Sequence, residues 1–325
     1  MRDSKITRRT FLKGASAVTL AAVSGIGLEK TFAASFPAEI LVPNSSGTGV
    51  PRLKAPANAC DCHHHIYDDR FPFTGSSKRA QTNGRVEDYR LLQRRIGTTR
   101  NIVVNPSAYG TNNDCTVDAL SQFGPDTTRG IAVVDTSVSD AELQRLDAAG
   151  IRGIRFTLFD PATSVTSVDM IEPLAKRVSD LGWHLQIHMR GDQLVAAEDM
   201  LNRLTVPIVF DHIARLPQPE GTDHPAFAII CRLLDNGRTW VKLSGAYQDT
   251  KVGPPTYADI TKVAQSFVKY APERMVWGSD WPHPTEKQKP DDAILFDLLA
   301  EWAPDQKTVH RILVDNPAAL YGFPK

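Results

Sequence analysis

The sequence predicts an α/β fold, a single (β/α)8 TIM barrel, and three observations lead to it. Eight short β-branched runs alternate with amphipathic segments along one chain of 325 residues, the pattern of a parallel sheet with helical crossovers. The length suits one barrel of roughly 250 residues carrying a leader and an arm. Polar residues recur where the apolar runs end, which is where a barrel opens its site. A doubly wound sheet is the structural alternative, but no Gly-x-Gly-x-x-Gly turn follows the first strand to support dinucleotide binding.

Residues 1–35 read as a targeting segment. Thr7-Arg8-Arg9-Thr10-Phe11-Leu12-Lys13 sets an arginine pair ahead of a weakly apolar run, Gly14 to Leu28, and small residues follow at Phe32-Ala33-Ala34-Ser35. The run is shorter than the roughly 20 residues of a membrane span, so no stable span is expected once it is removed. The arginine pair before Phe-Leu-Lys predicts a twin-arginine signal peptide and a periplasmic location, a plain secretory signal being the alternative. Residues 36–58, rich in Pro, Ser, Gly and Asn, predict an extended N-terminal arm, and 59–325 the barrel. The leader holds six basic and two acidic side chains, so the remainder carries a formal charge of −4. That balance points away from nucleic acid or an anionic membrane as partner.

The predicted strands are 60–67, 101–105, 130–134, 153–158, 184–189, 207–211, 240–243 and 274–277. Amphipathic segments between them include 140–149, 169–181, 192–204, 226–236 and 257–270, several opened by a capping Asp or Thr. No internal repeat or low-complexity tract interrupts them. Strand alternation places Cys60 and Cys62 on the face opposite His63 and His65, toward a helix layer. Buried free thiols are therefore expected for the four cysteines, with a pairing of Cys115 or Cys231 left open.

Asp61-Cys62-His63-His64-His65 is the most informative segment. Residues two apart on a strand share a face, so His63 and His65 project together, with Asp61 one layer below and His64 opposite. His188 ends Leu185-Gln186-Ile187-His188, His212 ends Ile208-Val209-Phe210-Asp211-His212, and Asp280 closes Val276-Trp277-Gly278-Ser279-Asp280. One rim then holds four imidazoles and a carboxylate, a set able to bind a metal or to move a proton. Arg155 and Arg215 near the barrel mouth suit bidentate capture of a carboxylate. Ser107 and Tyr109 after strand two are further candidates for substrate binding, as are Ser244 and Tyr247 after strand seven. His283 is expected only to shape its loop.

Several segments together resemble the amidohydrolase superfamily, in its amidohydrolase-2 branch, from about Ala59 to Phe323. They are Asp-Cys-His-His-His, Gly-Ile-Arg-Gly-Ile-Arg-Phe, Gln-Ile-His-Met, Phe-Asp-His-Ile-Ala-Arg, Val-Lys-Leu-Ser-Gly, Trp-Gly-Ser-Asp-Trp-Pro-His and the closing Ile-Leu-Val-Asp-Asn-Pro-Ala-Ala-Leu-Tyr-Gly-Phe. Within that branch the chain resembles 2-pyrone-4,6-dicarboxylate lactonases and galactarolactone isomerases. That resemblance implies an amidohydrolase-type barrel that opens a small anionic lactone by water attack, with Asp280 as general base. The histidines would polarise the carbonyl, either directly or through a metal. It implies catalysis without a bound metal, although other members hold one zinc, for which His63, His65, His188 and Asp280 would serve. No lysine ends strand four to make a bridging carbamate, so a two-metal site is not expected. The dicarboxylate lactonases carry another arginine shortly after the position of Arg155, where this chain has Phe159-Asp160-Pro161-Ala162. A substrate with less negative charge follows. Lactone isomerisation, zinc-dependent amide hydrolysis or decarboxylation, and non-catalytic capture of a small molecule by an exported barrel are the competing readings.

Overall fold

Strands β1 (Cys60–His64), β2 (Arg100–Val104), β3 (Thr128–Ala132), β4 (Ile151–Thr157), β5 (His184–His188), β6 (Ile208–Phe210), β7 (Thr239–Leu243) and β8 (Met275–Trp277) form one parallel sheet in sequence order. The computed structural model describes residues 39–74, 83–303 and 305–324. The predicted signal peptide, 1–35, lies outside the described residues. Each strand falls within three residues of its expected bounds.

The seam between β8 and β1 closes the barrel just beyond the strands. Asp280 N donates to His63 O at 2.7 Å, and His65 N donates to Trp281 O at 2.8 Å. Gly278 makes this approach possible, since a Cβ there would lie 2.7 Å from the His63 Cβ. The Asp61 carboxylate clips the same seam: it accepts from His63 N and Ser279 N on Oδ1, and from Ser279 Oγ and Tyr89 Oη on Oδ2.

A shift of register between Asp61 and His64 changes which β1 residues face inward. One extra residue on a strand reverses the faces beyond it. Cys60 and Cys62 therefore pack with Ile102, Val104, Ile131, Val209 and Val276 in the lower lumen, rather than toward the helices. Asp61 correspondingly turns out to Tyr89 on α1 (Val86–Ile96), not to a layer beneath the histidines. His64 stacks on the same Tyr89 at 3.5 Å and leaves the site, as expected. All four cysteines are buried free thiols.

The helices α2 (Asp114–Phe123), α3 (Asp140–Ala148), α4 (Ile171–Ser179), α5 (Gly191–Ala196), α6 (Glu198–Arg203), α7 (Pro225–Asp235), α8 (Ala258–Tyr270) and α9 (Asp292–Trp302) follow the strands in turn. The segment expected as one helix at 192–204 is broken at Ala197 into α5 and α6. Tyr321, at the end of α11 (Asn316–Tyr321, after α10, Gln306–His310), meets His184 edge-on at 5.4 Å.

The arm is not a free extended tail where it is described. Ile40 N donates to Thr48 O, and Glu39 bridges Gly49, folding residues 39–49 into a clip. Arg95, fully buried, holds it: Nε donates to Gly49 O, Nη1 to Ser45 Oγ and Ser46 O, and Nη2 to Asp291 Oδ1. Trp281 Nε1 donates to Pro43 O at 2.7 Å. A guanidinium with this many acceptors is affordable in the interior, where an unpaired one would not be.

Candidate active site

The histidines and Asp280 meet at the C-terminal mouth of the barrel because each sits at or just beyond the C-terminal end of its strand. His63 and His65 come from β1 and His188 from β5. His212 opens a turn in which His212, Ile213, Ala214 and Arg215 all have φ between 51° and 57°. Left-handed backbone costs a non-glycine residue roughly 1–2 kcal/mol. Packing overrides that cost, since Ile213 and Ala214 are buried in the core. Asp280 is left-handed too, at φ 62°.

An open cavity lies above them. His65, His188, His212, Arg155 and Asp280 line it, together with Ser107, Thr157, Gln248 and an apolar side of Tyr67, Pro106, Ala108 and Pro284. His63 is fully buried beneath this floor.

Asp280 has two unlike oxygens. Oδ2 accepts from Tyr247 Oη at 2.6 Å and Gln248 Nε2 at 2.7 Å. Oδ1 faces the imidazoles, 3.4 Å from His65 Nε2, 3.5 Å from His63 Nε2 and 3.9 Å from His212 Nε2. Burial alone would raise this carboxyl, but the neighbouring His212, His65 and His63 outweigh it and hold it well below its ordinary value. Burial pushes His212 down to about 4, against the pull of Asp280 and Asp211. Asp280 therefore stands as a carboxylate beside these rings at neutral pH.

Under the floor is a layer of buried charge. Asp211 Oδ2 accepts from Arg155 Nε at 2.9 Å and Gln186 Nε2 at 3.1 Å. Burial would raise Asp211, but His63, Arg155 and Lys242 hold it well below its ordinary value. Lys242, on β7, donates to Gln186 Oε1 at 2.6 Å and to His63 Nδ1 at 3.2 Å. Burial, opposed chiefly by Asp211, brings its ammonium down to about 8.

These contacts fix where protons sit. His65 Nδ1 lies 2.8 Å from the Val104 carbonyl, which can only accept, so the neutral ring presents a bare Nε2. His63 Nε2, 3.3 Å away, must then donate to it. Donation from Lys242 to His63 Nδ1 requires the same tautomer. One consistent chain runs from Lys242 through His63 and His65 to the β2 backbone. Asp211 Oδ1, 3.3 Å from His63 Nδ1 and without a hydrogen bond of its own, offers the opposite tautomer.

The structure separates the remaining expected residues. Ser107 lines the cavity and Arg155 reaches it from β4. Tyr109 does not line it: its hydroxyl accepts from Asp68 N and donates to Asp68 O, which makes it a clamp on the β1 loop. Arg215 is likewise withdrawn, because Nε and Nη2 grip Asp249 while Nη1 donates to His188 Nε2. It braces a histidine rather than facing the cavity. Ser244 braces His212 through Nδ1 at 3.0 Å. Sequence reasoning gave no role to Asp211, Gln186, Lys242, Gln248 or Asp249. The signal for the first three was a polar side chain inside an otherwise apolar strand, at the parity of the lumen.

Among the described residues, two groups could hold a metal ion: His63, His65 and Asp280, and His63, Asp211 and His212. The first has ligand atoms 3.3, 3.4 and 3.5 Å apart. Those are the edges of a tetrahedron with corners about 2.0–2.1 Å from its centre, which fits zinc. His188 belongs to neither group, since the Arg215 guanidinium occupies its Nε2.

The chain is similar to several known proteins. The chain is 34% identical over 282 residues to a 2-pyrone-4,6-dicarboxylate hydrolase of Comamonas testosteroni, covering 83% of this chain and 92% of that one. It is 29% identical over 286 residues to a D-galactarolactone isomerase of Agrobacterium fabrum, covering 86% and 96%. The crystal structure of Agrobacterium tumefaciens ATU3138 in its apo form superposes with a TM-score of 0.77 at 29% identity, over 85% of this chain and 99% of that one. The family profile described as amidohydrolase (Amidohydro_2) matches residues 60–323, and the chain belongs to that family of hydrolases.

Proposed function

We propose that the protein hydrolyses a small carboxylated lactone with Asp280 as general base. The observation that carries this is the asymmetry of that carboxylate. Oδ2 is occupied by Tyr247 and Gln248, while Oδ1 is ionised and faces the floor of the cavity. As a water oxygen bonds to the lactone carbonyl carbon, its proton passes to Oδ1. The ring C–O bond then breaks, and the proton returns to the departing oxygen. His212 and Arg155 line the same cavity and supply donors for the developing oxyanion. Both relatives are named for lactones, one hydrolysed and one isomerised.

Arg155 is the one Lys or Arg among the described lining residues, and its Nε already serves Asp211. That supports a substrate with a single carboxylate in preference to a dicarboxylate. Catalysis without a resident metal is favoured by the tautomer that Lys242 imposes, which puts a proton where His63 would need a lone pair. When bound at His63, His65 and Asp280, a zinc ion would supply Lewis-acid polarisation of the carbonyl. The arginine pair at Arg8-Arg9 supports export to the periplasm, which fractionation of cells making the full chain tests directly.

A panel of mono- and dicarboxylated lactones, with products identified by NMR, tests the reading. A ring-opened hydroxy acid is the expected product. Asp280→Asn should lower kcat at least about a thousandfold, the scale set by loss of an essential proton acceptor. Retained turnover would remove Asp280 as base. A second lactone as product would move the activity to isomerisation.

A further inference from the structure

We infer that His283 and Asp292 form a positioning pair that acts on Asp280 through Tyr247, an inference that rests on reading Asp280 as the base. The loop after β8 seemed from sequence to give His283 only a shaping role. In the fold, its ring is fully buried and both nitrogens are engaged. Nδ1 lies 3.0 Å from Tyr247 Oη, and Nε2 lies 3.1 Å from Asp292 Oδ2. Asp292, the first residue of α9, is also fully buried, and its Oδ1 has no hydrogen-bond partner.

The direction of the chain follows from counting protons. A phenol has one, and the 2.6 Å contact gives Tyr247's to Asp280 Oδ2. A phenol whose hydrogen lies on that contact has none left to give His283. Its oxygen can then only accept from His283, so Nδ1 carries a hydrogen. Nε2 and Asp292 Oδ2, 3.1 Å apart, share a second proton, so the pair as a unit carries two, one on Nδ1 and one between ring and carboxyl. The order is Asp292, His283 Nδ1–H, Tyr247 O–H, Asp280 Oδ2.

Each donation polarises the next, which strengthens the terminal bond. The result is a carboxylate held by one oxygen. Oδ2 is saturated and cannot swing toward the cavity, and the proton taken from water goes to Oδ1. A buried His–Asp pair is costly unless both members are satisfied. Placing one a single side chain away from the base is consistent with work at that base. The backbone agrees: His283 N donates to Asp280 O at 2.9 Å, and Lys289 Nζ donates to His283 O at 2.7 Å, so the ring is held to the turn that presents the carboxylate.

Two measurements on the full-length protein test this. In 15N-histidine-labelled protein, His283 should show a slowly exchanging Nδ1–H signal, assigned by its loss in His283→Asn and displaced in Tyr247→Phe. A bare Nδ1 would overturn the inference whether or not any lactone is turned over. On whichever panel lactone is turned over, His283→Leu should lower kcat about tenfold to a hundredfold, the usual scale for outer hydrogen-bond partners, with KM unchanged within about threefold. His283→Asn, whose amide can donate from the Nδ1 position, should recover most of that loss. In a Tyr247→Phe background the two variants should become equal. Equal losses for Leu and Asn in the wild-type background would leave only a structural role and refute the pair. If the Nδ1–H signal is present but no lactone is turned over, the pair stands and the lactone reading fails.

Discussion

Asp211→Asn keeps the shape of a buried side chain and removes its charge. The carboxylate is fully buried, accepts from Arg155 at 2.9 Å and lies 3.7 Å from the Lys242 ammonium. The variant leaves two cations under the floor without the anion they share. Breaking a buried pair typically costs about 3–5 kcal/mol. Lys242 has an escape, because it can lose its proton. Its fall from 10.5 to about 8 already represents about 3 kcal/mol in the wild type. Full deprotonation at neutral pH would cost about 5 kcal/mol, so Lys242 contributes at most about 2 kcal/mol more. Arg155 has no such exit and carries the rest. The sign with pH follows. A lysine whose folded pKa is lowered makes stability rise with pH between about 8 and 10.5. The variant extends that window downward, so its deficit against wild type is largest near pH 7 and narrows by about 1–2 kcal/mol by pH 9. Urea unfolding followed by circular dichroism at both pH values measures this. A barrel this long shifts by roughly 2 °C per kcal/mol, so Tm should fall by about 6–10 °C at pH 7. A deficit below about 1 kcal/mol, or one that grows with pH, would refute the reasoning.

Three other perturbations separate roles within the site. Tyr109→Phe should cost about 1 kcal/mol of stability, the scale of one buried hydrogen bond, and leave KM unchanged; a KM change above threefold would return the phenol to the binding site. Because Asp280 is held well below the carboxylate range, it stays ionised as pH falls. The rate should be flat on the acid side down to about pH 5, and an acid limb between 6 and 7 would assign the proton transfer to an imidazole instead. Lys242→Met frees His63 to donate to Asp211 and turn a bare Nε2 toward His65 and Asp280. Zinc retained after dialysis, measured by elemental analysis, should rise; equal zinc in variant and wild type would undo the tautomer argument.

Most of the barrel was legible because each strand is a short apolar run ending in a polar residue. The same rule located His63, His65, His212 and Asp280, and the folded chain brings an Nε2 of each histidine within 4 Å of Asp280 Oδ1. Faces were harder. The register shift in β1 reverses its alternation, and nothing in Cys-Asp-Cys-His-His announces it, so Asp61 and the two cysteines were placed on the wrong sides. The left-handed run from His212 to Arg215 contains no glycine to betray it, and it turns Arg215 away from the cavity. Lys242 and Asp211 were visible as residues but not as partners, because their significance lies in a contact between side chains of the neighbouring strands β6 and β7. Tyr109 sat at a strand end like the residues that line the cavity. Only its distance from the cavity tells it apart.

The clip formed by residues 39–49 has a bearing on how the chain is made. Its holding contacts reach Trp281 and Asp291, more than two hundred positions later. The β1–β8 seam spans a similar interval. Until β8 has been synthesised, β1 is an open edge able to pair with another chain. Closing so long a loop is also slow compared with forming a local strand–helix–strand unit. The beginning of the domain thus stays unfinished until the end arrives, and Asp280, carried on that last segment, is set in place by the same event. A truncated product would have neither a sealed edge nor Asp280, so closure of the barrel and assembly of the site are one condition.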